Sequence, residues 1–494
     1  MDRYIELFNR NKSSYNSKQI QFSYILYLKK MLLKLLKGSA IYGLSPFIPK
    51  IISFLLLPVL TKYLTSTDFG IIGTITSVVG CVQVFSTLGL QVILPNYFYK
   101  CPFQYKIIWR EIYGFLSLWM VAFAILQSFL LYFTIPIEAL ENRFLIIFLS
   151  IFSTVLFGPT ALLGSLYYQL NIKPIPVAIR TIASGIVSIV INYMCVVVFQ
   201  WGYLGFYIGT FAGTFLINAS YWYVVNRTLG LSPIYKFKKK SIGRLLYVSI
   251  PTIPHYYTGY LLNSSNTLVL NYYNKPQDII GELTLCNSIV NTFESIINAI
   301  NQVVYPLSLK YIKERNVHSL KQISYLYVYM TLVGTFIYSL WAKEIFSILV
   351  SNPSLARAYK YTIILIMALN YRPMYIICSN YFFYYEKTKQ LLTVTFVSGI
   401  VSLALYVLLI PSFNIMGAVI GNYLGCLIYG YSGYLYKIYK DNKLFSINPL
   451  IFLFSQNALT SLCYWAVDEE WIFKIVVNIV ILSVITFMLY LKIK

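Results

Sequence analysis

Three charged side chains stand in stretches that otherwise suit lipid. Lys50 lies in LSPFIPKIISFLLLPVL, residues 44–60, just after Pro46 and Pro49, and Arg372 lies in ALNYRPMYIICSNYFFYY. Glu294 lies in IIGELTLCNSIVNTFESIINAINQVVYPL, where Asn287, Asn291, Glu294, Asn298 and Asn301 recur at helical spacing and make one continuous polar face. A charge at the bilayer centre costs at least about 2.5–3.5 kcal/mol on insertion scales, so such residues face a protein interior or an aqueous cavity. The chemistry available here is ionic. Lysine and the forked guanidinium of arginine suit phosphate oxygens, and a carboxylate at mid-depth can exchange a proton or a cation. The plainer readings are that Lys50 pairs with an internal carboxylate to hold helices together, and that the asparagines are interhelical glue worth ~0.6–2 kcal/mol per contact.

Lys50, Arg372 and a protonated His255 would make a cationic centre, with Glu294 as its local counter-charge. Glu282 and Arg180 are weaker candidates, because each is close enough to a span end to snorkel to the interface. Other chemistries lack their residues. The seven cysteines are scattered without a CxxC and there are two histidines, so free thiols, no metal and no cofactor are expected. A phosphate-cradling G-x-x-x-x-G-K-[ST] loop and a Ser/His/Asp arrangement are also missing from the sequence. The expectation is a protein that binds and moves something, not an enzyme.

The elements that position these residues follow from composition. Of 494 residues, 58% are hydrophobic and 11% charged, with mean hydropathy +0.67. Soluble domains carry about 25% charged residues, so this is a polytopic membrane chain. Apolar stretches recur about fourteen times at the length a helix needs to cross lipid. The second is expected over 70–94, the seventh over 245–269, the eighth over 279–304 and the ninth over 325–350. The eleventh and twelfth are expected over 391–411 and 415–436. With the N-terminus in the cytoplasm, most of the 39 Lys and Arg fall on the cytoplasmic side and the acidic PIEALENR and VDEEW on the outer side. Both termini are therefore expected inside, and the net charge of +23 faces anionic lipid headgroups, not nucleic acid. Residues 1–37 form a basic amphipathic segment suited to the inner leaflet, unless Met31 is the true start.

The two halves share a design. Pro251, Pro254 and His255 repeat the P-x-x-P-basic pattern of Pro46, Pro49 and Lys50, and LNYYNKPQDIIGE echoes TKYLTSTDFGIIG. Six spans separate the copies, so the repeat is parallel, with its axis along the membrane normal. The expected division is a first lobe over 38–225, a cytoplasmic basic linker over 226–244, a second lobe over 245–436 and a C-terminal helix pair over 437–494. Proline inside a span is tolerable where neighbours or a cavity satisfy the freed carbonyl, so all four prolines are read as bending helices along a shared cavity.

LLKGSAIYGLSPFIPKIISFLLLPVLTKYLTSTDFGIIG resembles the opening of bacterial polysaccharide exporters, the Wzx-type O-antigen flippases of the multidrug/oligosaccharidyl-lipid/polysaccharide exporter superfamily. Leu57-Pro58, Leu60-Thr61 and Asp68-Phe69-Gly70 match the family's opening pattern. STLGLQVILPNYFY resembles the end of its second helix, SIPTIPHYYTGYLLNSSN its seventh, and YYEKTK its loop after the tenth. The likeness is diffuse and extends over nearly the whole chain. It implies an all-α transporter of two six-helix lobes that moves undecaprenyl-diphosphate-linked oligosaccharide across the bacterial inner membrane. Glu294 is the candidate to titrate or to bind a coupling cation, H+ or Na+, and the further expected partners are membrane lipids and the polysaccharide polymerase machinery. The sequence departs from the family at Asn266, where many relatives have aspartate. Alternatives kept open are a cation-coupled drug exporter, a lipid II flippase, and a membrane polymerase or ligase, which the short outer loops disfavour.

Overall fold

Apolar runs about 20 residues long become helices because a helix satisfies every backbone group within its own segment. The computed structural model describes residues 47–171, 173–385, 388–435 and 449–493, and every regular element among them is helical. The first lobe contains α1 (Phe47–Tyr63), α2 (Ser66–Gln83), α3 (Tyr105–Thr134), α4 (Arg143–Leu170), α5 (Pro174–Tyr193) and α6 (Gly202–Tyr223). A surface helix, α7 (Lys239–Ser249), leads to α8 (Ile253–Asn263), α9 (Ser265–Tyr272), α10 (Gln277–Lys313), α11 (Val317–Leu340), α12 (Ala342–Leu349), α13 (Tyr359–Ala368), α14 (Arg372–Tyr384) and α15 (Thr388–Tyr431). The C-terminal pair is α16 (Pro449–Ala466) and α17 (Trp471–Ile493). Seven of the described helices are long and apolar enough by themselves to cross a membrane.

The expected spans fall on these helices, with three differences. The second stops at Gln83, because Leu88 (φ 49°) and Gly89 (φ 74°) turn the chain. Gly89 is also pressed on the next lobe, where a Cβ would lie 2.4 Å from the Ser249 carbonyl oxygen. The ninth stops at Leu340, and α12 follows as a separate short helix that keeps Lys343 and Glu344 at the bundle end. The seventh is broken at Ser264 into α8 and α9. Here side chains compete with the helix backbone: Ser265 Oγ donates to the Leu261 carbonyl at 2.6 Å, and Asn266 Oδ1 accepts the Thr267 N–H at 2.8 Å. The Leu262 carbonyl accepts from Tyr406 Oη and Asn422 Nδ2, both at 2.7 Å. That is how a discontinuous helix survives at membrane depth.

Pro251 and Pro254 stand at the entry to α8. Pro251 sits in a 3-10 turn (Ile250–Thr252) and Pro254 in the first turn of α8, so they separate two helices instead of kinking one. Pro49 lies near the start of α1 and Pro58 inside it. Pro46, the 1–37 segment and Met31 lie outside the described residues. In α15 the eleventh and twelfth spans meet at Asn414 (φ 49°, ψ −129°), shortly after Pro411.

The lobes meet through a reciprocal contact between α2 and α10. A Cβ on Gly70 would lie 2.1 Å from the Gln277 carbonyl oxygen, and one on Gly281 would lie 1.9 Å from the Ser66 carbonyl oxygen. Each glycine thus rests on the first turn of the opposite helix, four residues before the other glycine. One turn further, Gly73 packs on the Thr284 side chain. Missing side chains let the two backbones approach, the usual solution where lipid offers no hydrophobic drive. The same end is closed by Asp278, which accepts from Ser66 Oγ at 2.8 Å and Thr67 Oγ1 at 2.7 Å. Thr61 Oγ1 also donates to the Leu349 carbonyl at 3.2 Å and accepts the Ser351 N–H at 3.0 Å.

The C-terminal pair is stapled on by charge at this end. Lys474 is fully buried on α17 and donates to Glu344 of α12 and to the Val467 carbonyl, both at 2.6 Å. Beside it, Asp468 is paired with Lys360 at 2.8 Å and Lys343 at 3.3 Å, and accepts Tyr359 Oη at 2.7 Å. Hydrogen bonds from Lys360, then from Tyr359 and Lys343, hold the Asp468 carboxyl down to about 2. A depressed carboxyl contributes stability that is complete above its unfolded pKa and is lost as pH falls through the folded value. This clasp is expected to hold unchanged from about pH 7 to about pH 4 and to loosen between about pH 4 and about pH 2. Hydrogen exchange across residues 467–470, corrected for intrinsic rates, checks this; loosening already at pH 5 contradicts it.

Candidate functional site

Arg372 opens α14 at a deliberate joint. The chain tightens to a 3-10 turn over Leu369–Tyr371, and Pro373 follows the arginine, so the hydrogen-bond pattern changes where α13 passes into α14. From this joint the guanidinium reaches two other helices. Nη1 donates to the Glu294 carboxylate of α10, and Nη2 donates to Asn263 Oδ1, the last residue of α8, at 2.9 Å. Asn263 Nδ2 closes the ring by donating to Glu294 Oε2 at 3.4 Å. The triad therefore joins three helices of the second lobe. One guanidinium and one carboxylate balance its charge, and a neutral amide bridges them. The side chains of Arg372 and Glu294 are 14% and 19% exposed. That is too little to leave either charge solvated alone.

The polar face of α10 runs beside this triad. Gly281, Thr284, Ser288, Asn291, Ser295 and Asn298 follow at alternate spacings of three and four, which keeps them on one seam of a helix. At Gly281 and Thr284 that seam is filled by α2. Beyond them Ser288, Asn291 and Asn298 are exposed and Ser295 is buried, so the face that seals the lobes at one end is largely open toward the other. Asn287 and Asn301 are half-buried on its margins. Glu294 sits where the open face meets the second lobe.

The other sequence candidates are dispersed. Asn266 is buried on α9 with its oxygen spent on Thr267 and its Nδ2 without a partner among the described residues, and it does not join the triad. Arg180 is held inside the first lobe. Its Nε donates to Ser220 Oγ at 3.1 Å and its Nη1 to the Pro176 carbonyl at 2.8 Å, while its guanidinium lies over the rings of Tyr168 and Tyr221. Glu282 is half-buried one turn beyond Asp278 and makes no ion pair among the described residues. Lys50 and His255 are placed on α1 and α8 by their backbones, and their side chains lie outside the described ones. Asn263 escaped the sequence reading. Its signal was the NSSN run, whose amides and hydroxyls break a helix and release polar groups to neighbours. A separate cavity of about 360 Å3 lies between Val78, Leu130, Leu268 and Val407. It is apolar and touches no member of the triad.

A family model described as "Polysaccharide biosynthesis protein" matches residues 35–312. The chain belongs to the polysaccharide biosynthesis protein family. The match covers the first lobe and reaches through α10, so it includes Glu294 and Asn263 and stops short of Arg372. No curated protein matches this family member. Among solved structures it is similar to the lipid II flippase MurJ in an inward closed conformation, with TM-score 0.65 and 15% identity over 87% of this chain and 98% of that one. It is also similar to an inward-facing multidrug resistance MATE family transporter of the MOP superfamily, with TM-score 0.59 and 14% identity over 83% and 96%. A Vibrio cholerae MATE transporter, VcmN, follows with TM-score 0.53 and 15% identity over 84% and 98%. At these identities the likeness establishes the fold. This polysaccharide biosynthesis protein is a multi-pass, two-lobed helical membrane protein of the MurJ/MATE type.

Proposed function

We propose that the protein is a flippase that moves undecaprenyl-diphosphate-linked oligosaccharide units across the bacterial inner membrane by alternating access. The observation that carries the reading is the Arg372–Glu294–Asn263 triad set on the open seam between the lobes. Family membership supports the polysaccharide part, and the fold shared with a lipid II flippase supports a lipid-linked diphosphate cargo. The triad supplies a mechanism. A diphosphate entering the open end competes with Glu294 for the Arg372 fork, because both offer paired anionic oxygens to it. Glu294, released from its counter-charge, is the group this reading assigns to the coupling cation, H+ or Na+. Closing the open end and parting the Gly70/Gly281 contact presents the headgroup to the other side. There the returning carboxylate displaces it toward the polymerase machinery. Lys50 on α1, which packs on α10, and His255 on α8 supply further positive charge along the route. With both termini cytoplasmic, the open end faces the cytoplasm.

A cation-coupled drug exporter would need an acidic centre for its cargo. Here the carboxylate is already neutralised by Arg372. The test is to delete the gene in its host and quantify undecaprenyl-diphosphate-linked saccharides together with surface polysaccharide. Accumulation of complete lipid-linked units with loss of surface glycan is the expected result. If both are unchanged, the flippase reading fails and susceptibility to cationic compounds becomes the informative assay.

A further inference from the structure

The segment between the lobes carries Lys236, Lys238, Lys239, Lys240 and Arg244, and no acidic residue occurs between Glu141 and Asp278. Its basic charge was evident from sequence, and its rigidity was not. Leu231, Ile242 and Leu245 are buried in one apolar cluster with Trp109, Ile112 and Leu163 of α3 and α4. The strap crosses α3 in direct backbone contact, where a Cβ on Gly114 would lie 2.1 Å from the Ile234 carbonyl oxygen. The Ile234 N–H donates to the Arg110 carbonyl at 3.0 Å, and Arg110 Nε donates to the Ser232 carbonyl at 2.8 Å. The five cations are therefore fixed on a folded surface.

All five are exposed, and none makes an ion pair among the described residues. A nearby carboxylate, Glu111, is directed to Ser241 Oγ at 3.4 Å. On α7, Lys240, Arg244 and Tyr247 share one face, turned away from the buried Ile242, Leu245 and Ser249. Tyr247 is 83% exposed, and Val248 and Ile250 beside it are exposed as well. Cations in a row with an aromatic ring and aliphatic side chains suit the boundary between headgroups and acyl chains. A soluble polyanion would leave those apolar groups in water. This end of the bundle, where α3 starts and α4 and α6 end, is the one the positive-inside bias assigns to the cytoplasm.

We propose that residues 231–249 form a binding platform for anionic phospholipid headgroups at the cytoplasmic face. The platform is rooted on the first lobe and leads directly into α8 of the second. An anionic surface attracts each nearby Lys or Arg by about 1 kcal/mol, or roughly fivefold in affinity. The test uses the full-length protein in mild detergent, titrated with phosphatidylglycerol or with phosphatidylcholine of the same chains, and bound lipid is counted by native mass spectrometry. Wild type is expected to prefer phosphatidylglycerol. The variant Lys239→Gln/Lys240→Gln/Arg244→Gln is expected to lose on the order of a hundredfold in that preference. The charge-preserving Lys239→Arg/Lys240→Arg/Arg244→Lys variant is expected to keep it, as is Lys310→Gln/Lys313→Gln/Arg315→Gln, which removes three exposed cations at the end of α10. Equal loss in that last variant, or an unchanged preference in the first, overturns the proposal. So does binding of soluble polyphosphate that displaces the phosphatidylglycerol completely. Lipid counting does not depend on what the protein transports, so this proposal and the flippase reading fail separately.

Discussion

Replacing Arg372 by alanine is expected to abolish export and to destabilise the protein by about 3–5 kcal/mol, the usual cost of stripping one partner from a mostly buried ion pair. The structure explains why both effects arise together. Among the described residues, Glu294 would be left with only the 3.4 Å bond from Asn263, in a place where its side chain is 19% exposed. Adding Glu294→Gln to the same chain removes the stranded charge. The double variant is therefore expected to recover most of the stability and none of the export. Arg372→Lys keeps the charge but loses the fork that holds Glu294 and Asn263 at once, so it should fold and export poorly. Thermal unfolding in nanodiscs and accumulation of lipid-linked saccharides in cells separate these outcomes. Export at the wild-type level by Arg372→Ala would sink the diphosphate role. If the double variant were as unstable as the single one, uncompensated charge would not be the cause of the loss.

The second large effect is expected at the lobe contact. A Cβ at position 281 would lie 1.9 Å from the Ser66 carbonyl oxygen, closer than any side chain can yield to backbone. Gly281→Ala therefore has to push α2 and α10 apart at their closed end. That separation breaks the bonds from Ser66 and Thr67 to Asp278. A hydrogen bond to a charged group is worth about 1.5–3 kcal/mol, so losing two shifts the closed-to-open ratio at this end by on the order of a hundredfold or more. Gly70→Ala should act the same way, because its Cβ would lie 2.1 Å from the Gln277 carbonyl oxygen. Gly334→Ala is the control, since nothing lies within 4 Å of a Cβ there. Spin labels on the exposed Glu138→Cys of the first lobe and Ser354→Cys of the second report the separation without touching either bond. An unchanged distance distribution in Gly281→Ala would show that this contact does not set the state of the lobes.

Much of this was legible because bilayer thickness acts on local sequence. The apolar runs, the polar face of α10 and the intramembrane Arg372 and Glu294 are all local patterns of residue type. The joint at Asn414, between two expected spans, is equally local. Misjudged elements failed for a local reason too. A run of hydrophobic residues cannot show whether helix 70–94 ends early at a left-handed pair such as Leu88 and Gly89. Nor can it show that NSSN splits the seventh span.

What only the tertiary structure decided is who meets whom. Arg372 lies 78 residues from Glu294 and 109 from Asn263, and helical periodicity carries no information across such separations. The same holds for the basic linker. Its charge is written in its composition, but its rigidity depends on a missing side chain at Gly114, more than a hundred residues earlier. The sequence by itself determined that charges must sit inside a helical membrane bundle, because insertion energy is paid residue by residue. Which charges cancel and which stay open to a ligand was decided by packing, because a partner for a buried charge can come from any helix that folds beside it.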